Sequence, residues 1–144
     1  MTEYRKILVA VDLTEQSDQV VARGLALARL VKADISLLHV VEYVPVEPMG
    51  EALLPAVDIE DELVQGARKR LEALATKHGI ADVERRVECG NIKSEIVRIA
   101  DEWGADLIVL GSRERHGLAV MLNLAEDAIL HAASCDVLAV RVAD

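Results

Sequence analysis

The stretch that decides the fold is KILVAVDLT at Lys6–Thr14, in which an apolar run is followed directly by an aspartate and a turn. Its unbroken Ile, Leu, Val and Ala residues predict a strand at Ile7–Val11 that is covered on both faces. Strands of this kind occur almost only in parallel sheets with helices on both sides. This stretch therefore predicts further buried strands and crossover helices along the chain.

Both kinds of element follow in alternation. Further apolar runs predict strands at Ile35–Val41, Val83–Glu88 (partly charged), Leu107–Leu110 and Val137–Val142. Apolar residues spaced by three and four predict helices at Ser17–Lys32, Ile59–His78, Ile92–Trp103 and Ala119–Ala133. Short connections between such strands require right-handed crossovers. The order predicts one α/β domain over residues 1–144, with an open doubly wound sheet of five parallel strands.

Capping residues mark several helix ends. Thr14 or Ser17 is expected to cap the first helix, and Asn91 the third. Gly79 and Gly104 are expected to end the second and third helices.

The second helix is expected to pack through a stripe that includes Leu63, Ala67 and Leu71. The connection before it, Glu42–Asp58, holds all three prolines and is predicted to be a long loop at the carboxyl end of the second strand.

Composition excludes several classes of function. The net charge of −9 argues against nucleic acid or an anionic membrane as partner, since both attract basic surfaces. No apolar run is long enough for a membrane span or a signal peptide, so a cytoplasmic location is expected. Cys89 and Cys135 show neither CxxC nor metal-ligand spacing and are predicted to be reduced, mostly buried thiols.

A binding site is expected at the carboxyl ends of the strands, where the strand order reverses. The residues after the first strand, Asp12–Glu15, contain none of the glycines of a dinucleotide or phosphate loop. The third strand ends Glu88-Cys89-Gly90 and lacks the aspartate of a receiver domain. The four histidines show no metal spacing, and His39, in an apolar strand, is interpreted as a structural, hydrogen-bonded residue.

Four segments together closely resemble the universal stress protein family: KILVAVDLTEQSDQVVARGLALA, ISLLHVVE, GADLIVLGSRERHGLAVML and CDVLAVRV. The resemblance implies a fold similar to the adenine-nucleotide alpha-hydrolases, with strand order 3-2-1-4-5. It also implies homodimers that pair through the last strand, Val137–Val142. Such pairing fits physically, because a long apolar edge strand promotes aggregation unless it is covered.

Some members of that family bind ATP, with the aspartate after strand one on the ribose and backbone near a strand-two valine on the base. The resemblance places a candidate nucleotide site, degenerate in its phosphate turn, at Val11, Asp12, Leu13, Val40, Gly111, Arg113, Arg115, Gly117, Asn123, Leu124 and Ala125. Gly111 keeps the start of the family's glycine-rich phosphate turn. Glu114 stands where its second glycine belongs, and Asn123-Leu124, or Leu124-Ala125, replaces its closing Gly-Ser.

Three hypotheses follow. The favoured one is a dimeric stress-response module, regulatory or binding, that does not hold ATP tightly and acts through protein contacts or another small ligand. The alternatives are a switch that binds ATP or AMP, and a slow nucleotide hydrolase. No catalytic or metal-binding residue is predicted, and no cofactor beyond ATP or AMP.

Overall fold

The computed structural model describes residues 3–42, 53–112 and 128–142 of the chain. Its elements are β1 (Lys6–Ala10), α1 (Ser17–Val31), β2 (Asp34–Val41), α2 (Leu53–Lys77), β3 (Arg85–Cys89), α3 (Ile92–Trp103), β4 (Leu107–Ser112) and β5 (Asp136–Arg141). Residues 128–132 are helical and are called α4; residues 119–127 of the predicted fourth helix lie outside the described residues.

The strands form one parallel sheet in the order β3-β2-β1-β4-β5. In its central strand, β1, Val9 pairs with Leu37 of β2 on one side and Val109 of β4 on the other. The predicted fold class and strand order are confirmed. Because β2 and β4 lie on opposite sides of β1, the strand order reverses at the carboxyl end of β1.

Helices cover both faces of the sheet. Val9 faces a core shared with α1 and α2, whereas its neighbour Leu8 faces a second core shared with α3 and α4. Both side chains are fully buried. Because alternate residues of a strand point to opposite faces, the continuous apolar run of β1 fills both cores at once.

The described strands differ from the predicted ones by one or two residues at an end, whereas α2 begins six residues earlier than predicted. Strand β3 covers Arg85–Cys89 rather than Val83–Glu88. Its predicted run was the most charged of the five. Helix α2 begins at Leu53 rather than Ile59, so part of the expected Glu42–Asp58 loop is helical. Pro55 fits there because the amide groups of a first helical turn have no partner within the helix, so a missing N–H costs little.

The predicted cap of α1 is wrong. Its N-cap is Gln16, whose side chain makes no capping hydrogen bond, and Ser17 is already the first helical residue. The helix ends at Lys32, which adopts the left-handed conformation with φ 60°. A lysine in this position carries no sequence signal, because glycine is the usual residue there.

The other predicted ends are confirmed. Asn91 Oδ1 accepts a hydrogen bond from Ser94 N at 3.0 Å and so caps α3. Gly104 and Gly79 have φ values of +75° and +73° at the ends of α3 and α2. None of the helices described is long and apolar enough to cross a bilayer.

Candidate functional site

A cleft of about 780 Å³ opens at the carboxyl edge of the sheet, at the reversal of strand order. Below, "the cleft" means this cavity. Its described lining includes Asp12 after β1, Val40 of β2, Gly111 of β4 and Arg70 of α2. Apolar side chains such as Ile96 and Ile129 line it on the α3 and α4 side. It therefore combines an apolar interior with a few polar groups, as small-molecule sites do.

Asp12 organises the turn between β1 and α1. Its Oδ1 accepts hydrogen bonds from the Thr14 amide at 3.0 Å, the Thr14 hydroxyl at 2.7 Å and the Ser17 hydroxyl at 3.2 Å. The hydroxyl groups of Thr14 and Ser17 therefore donate to Asp12 and do not cap α1. These bonds fix the carboxylate at the cleft, where it can present an acceptor to a ligand hydroxyl.

Leu13 holds an unusual backbone conformation in the same turn. Its φ is 59°, which costs a branched residue about 1–3 kcal/mol. Its side chain is 7% exposed and packs in the α1 and α2 core. Its carbonyl oxygen accepts a hydrogen bond from the Arg70 guanidinium of α2. Core burial and this bond together hold the strained turn in place.

His39 supports the turn from β2. Its Nδ1 lies 2.8 Å from the carbonyl oxygen of Val11, so Nδ1 donates. Burial lowers the pKa of His39 below its ordinary value of 6.5; the nearby Arg70 charge adds to this, and the bond to Val11 opposes it. The interpretation of His39 as a hydrogen-bonded structural residue is confirmed, although its side chain also lines the cleft.

The beginning of α3 is occupied by the protein's own groups. Asn91 caps the Ser94 amide, and Glu42 Oε2 lies 3.4 Å from the Ile92 amide nitrogen, a long hydrogen bond. Glu42 also lines the cleft. Together with Asp12, it gives the lining of the cleft two carboxylates, which makes the cleft less favourable for highly charged anions.

Helix α2 contributes one wall of the cleft. Leu63, Gly66 and Arg70 line it, and we call these three residues the α2 wall. Leu63 is 45% exposed, whereas Ala67 and Leu71 are buried in the core. Leu63 and Ala67 share a helix face as predicted, since both line the cleft, but Leu63 is not buried. Leu63 lies well inside α2 and lines the cleft.

The structure brings together part of the predicted site. Val11, Asp12, Val40 and Gly111 all line the cleft, whereas the Leu13 side chain is in the core. The predicted residues Arg113, Arg115, Gly117, Asn123, Leu124 and Ala125 lie outside the described residues, as does Glu114.

Gly111 has a packing role as well. A Cβ placed on it would lie 3.1 Å from Val20 Cγ2 of α1, so the glycine lets that helix approach β4 closely.

Sequence reasoning missed the part of the cleft formed by α2. Gly66 and Arg70 were not predicted as site residues, and His39 was assigned a structural role alone. The one available signal is the spacing of Leu63, Gly66 and Arg70, at three and four residues. That spacing places them on one helix face but does not say what the face meets.

Comparisons with known proteins agree with the family resemblance found in the sequence. A model described as the universal stress protein family matches residues 3–141. Universal stress protein A homolog 2 of Coxiella burnetii is 38% identical over 143 residues, which cover 99% of this chain and 98% of that protein.

Solved structures give the same fold. Hypothetical protein MJ0577 has a TM-score of 0.80 at 22% identity, with 99% of each chain covered. A universal stress protein in complex with cAMP has a TM-score of 0.66 at 21% identity, covering 99% of this chain and 100% of that one.

Proposed function

This chain belongs to the universal stress protein family, and from that premise we propose that it is a stress-response module that binds a small ligand in the cleft, discriminates against ATP and is not an enzyme. The observation that carries the proposal is the cleft itself. It sits at the reversal of strand order, keeps Asp12 in a fixed turn and has an apolar interior.

Discrimination against ATP rests on charge. Asp12 and Glu42 both line the cleft, and the sequence has Glu114 in place of a glycine of the family's phosphate turn. A carboxylate about 5 Å from one phosphate charge costs about 3 kcal/mol at an effective dielectric of about 20. A loss of that size weakens binding about a hundredfold.

A nucleotide with a single phosphate is the second candidate ligand, and the retained ribose and base positions favour it. Asp12 and Val40 both line the cleft, at the carboxyl ends of neighbouring strands. One solved structure of the family is in complex with cAMP, which carries one phosphate. On this view the module senses a nucleoside or nucleoside monophosphate rather than ATP.

We extend the proposal to assembly and location. Strand β5 lies at an edge of the sheet, and Leu138 on it is exposed. Pairing of the Val137–Val142 segment with its copy in a second molecule would cover that edge. We therefore propose a homodimer, and the cytoplasmic location stays a prediction.

Calorimetry with adenosine, AMP and Mg-ATP tests the function. We expect ATP to bind at least tenfold more weakly than AMP, and Glu114→Gln to recover up to about a hundredfold of ATP affinity. Glu72→Gln, which removes the same charge from the far side of α2, is the matched control. Micromolar or tighter ATP binding by the unaltered protein would contradict the discrimination, and nucleotide turnover that Asp12→Ala abolishes would contradict the non-enzymatic role.

A further inference from the structure

Strand β3 forms the edge of the described sheet that lies farthest from β5. Gly90 N, just after β3, donates to the Val41 carbonyl of β2 at 3.0 Å. By the period of two in a parallel ladder, the amides of Arg86 and Glu88 also face β2. The amides of Arg85 and Val87 therefore face outward, where a further strand could pair with them.

A groove of about 410 Å³ runs along this edge, between β3 and α2. Its lining is Arg68, Leu71 and Glu72 on α2 and residues 85–88 on β3. Leu71 is buried, and Val87 packs against the same core. The groove therefore combines apolar residues of the core with side chains of both charge signs.

Two of these charges have no partner in the described part of the chain. Arg68 and Glu72 are exposed and lie one turn apart on α2, yet neither forms a hydrogen bond or ion pair with a described residue. Arg86 and Glu88 differ, since they form an ion pair with each other at 3.2 Å. Arg68 and Glu72 are therefore available to a partner that brings both signs of charge.

The charges of β3 match a second copy of β3. In an antiparallel pair centred on Val87, Arg86 of each copy lies opposite Glu88 of the other. Because the amides of these two residues face inward, they form a pair without mutual backbone bonds, in which opposed side chains are closest. A pair centred on Arg86 or Glu88 would instead oppose like charges, which destabilises a sheet. The sequence thus favours Val87 as the centre.

Helix α2 fits the same twofold axis. It packs on both β2 and β3, so its copy beyond the edge would lie about two strand spacings away, or about 10 Å, a distance at which helices pack. The groove has Arg68 and Glu72 on one side and the segment around Val87 on the other. An axis through Val87 therefore passes between these two charges, and antiparallel copies of α2 bring Arg68 of each opposite Glu72 of the other.

We propose that the outer edge of β3 and the adjoining side of α2 form a self-association surface, at which a second copy of this chain adds an antiparallel strand centred on Val87. Charges on an edge strand ordinarily prevent pairing. Here their order excludes other strands but permits this one. The surface lies outside the cleft, so the inference does not depend on the proposed ligand. Since β3 is short and charged, this contact is weaker than pairing through β5, and it joins β5 dimers into larger species.

Sedimentation velocity over a range of concentrations tests the surface through charge exchange on α2. The unaltered protein should form larger species at high concentration than at low concentration, and salt should weaken this step. Arg68→Glu and Glu72→Arg each place like charges across the axis, and each should weaken the step about tenfold. Both substitutions together restore opposite charges and should restore the association.

Arg29→Glu is the matched control for the change in charge. Arg29 is exposed on α1, which does not line the groove, so the substitution should leave the association unchanged. Equal Tm values show that each variant is folded.

A disulfide trap tests the axis itself. Opposed residues in a hydrogen-bonded antiparallel pair have Cα atoms about 5.5 Å apart, which a disulfide can span. In protein carrying Cys89→Ser and Cys135→Ser, Val87→Cys should form a disulfide-linked pair on mild oxidation. Arg29→Cys in the same background should stay unlinked.

Three results would overturn the proposal. The first is a protein whose size does not depend on concentration. The second is a double variant in which charge exchange fails to restore the association lost in Arg68→Glu and Glu72→Arg. The third is linking of Val87→Cys no faster than that of Arg29→Cys, since collisions alone would then account for it.

Discussion

His39 Nδ1 and the carbonyl oxygen of Val11 are joined by a 2.8 Å hydrogen bond that links β2 to the chain leaving β1. The Val11 amide donates to the Leu38 carbonyl at 2.9 Å, so successive residues of β2 hold both polar groups of Val11. Asp12 follows immediately and lines the cleft. The bond from His39 therefore helps to hold the chain segment that carries Asp12.

Stability should fall on mild acidification because of His39. Burial lowers its pKa below the ordinary 6.5, so below that pH the unfolded chain binds the proton more readily than the folded protein. Stability from the neutral imidazole is present above pH 6.5 and decreases as pH falls from there toward the folded pKa. His39→Asn, whose amide can still donate to Val11, should show a smaller loss in urea unfolding between pH 7.5 and 5.5. An identical loss in both proteins would contradict this role.

Two glycine substitutions should have opposite effects. A Cβ on Gly24 would lie 2.7 Å from Val9 Cγ2, in the core beneath α1. Gly24→Ala should therefore lower the free energy of unfolding by about 1–3 kcal/mol, despite the gain in helix propensity. At Gly66 an added Cβ meets none of the described residues within 4 Å, so Gly66→Ala should raise it by about 0.5–1 kcal/mol. Chemical denaturation measures both, and adding Val9→Ala should reduce the penalty at Gly24. If Gly24→Ala raised the free energy of unfolding, the close approach to Val9 would not be a steric clash.

The cap of α3 should contribute a measurable part of stability. Asn91→Ala removes the acceptor of the Ser94 amide and should cost about 1 kcal/mol in chemical denaturation. Asn91→Asp and Asn91→Ser keep an acceptor at this position and should retain most of the stability. If all three variants lose the same amount, the loss does not come from the cap.

The proposed dimer can be tested at the outer edge of β5. Val142 N donates to Ser112 of β4 at 3.1 Å, so by the period of two in a parallel ladder the Leu138 amide also faces β4 and the Ala139 amide faces outward. Ala139→Pro should therefore leave the fold intact and yield monomers in analytical ultracentrifugation.

Leu138→Pro is the matched control, since it removes an inward amide and should lower Tm instead. A folded Ala139→Pro protein that remains dimeric would place the interface elsewhere.

The sequence by itself determined the sheet. The apolar run at Ile7–Val11 and the later runs predict buried parallel strands, because burial on both faces is a local property of residue type. Asn91 and Gly104 marked the ends of α3 for the same reason, since capping involves residues within one turn. The strand order was supplied by the family resemblance and agrees with the structure.

Only the tertiary structure decided how the cleft is built. Arg70 meets the Leu13 carbonyl across 57 positions of chain, and His39 meets Val11 across 28. From the sequence alone, Gly66 is only a residue of low helix propensity. The structure adds that a Cβ at this position would meet none of the described residues within 4 Å. Periodicity assigns a residue to a helix face, but what that face meets depends on how helices and strands pack, which no local pattern contains.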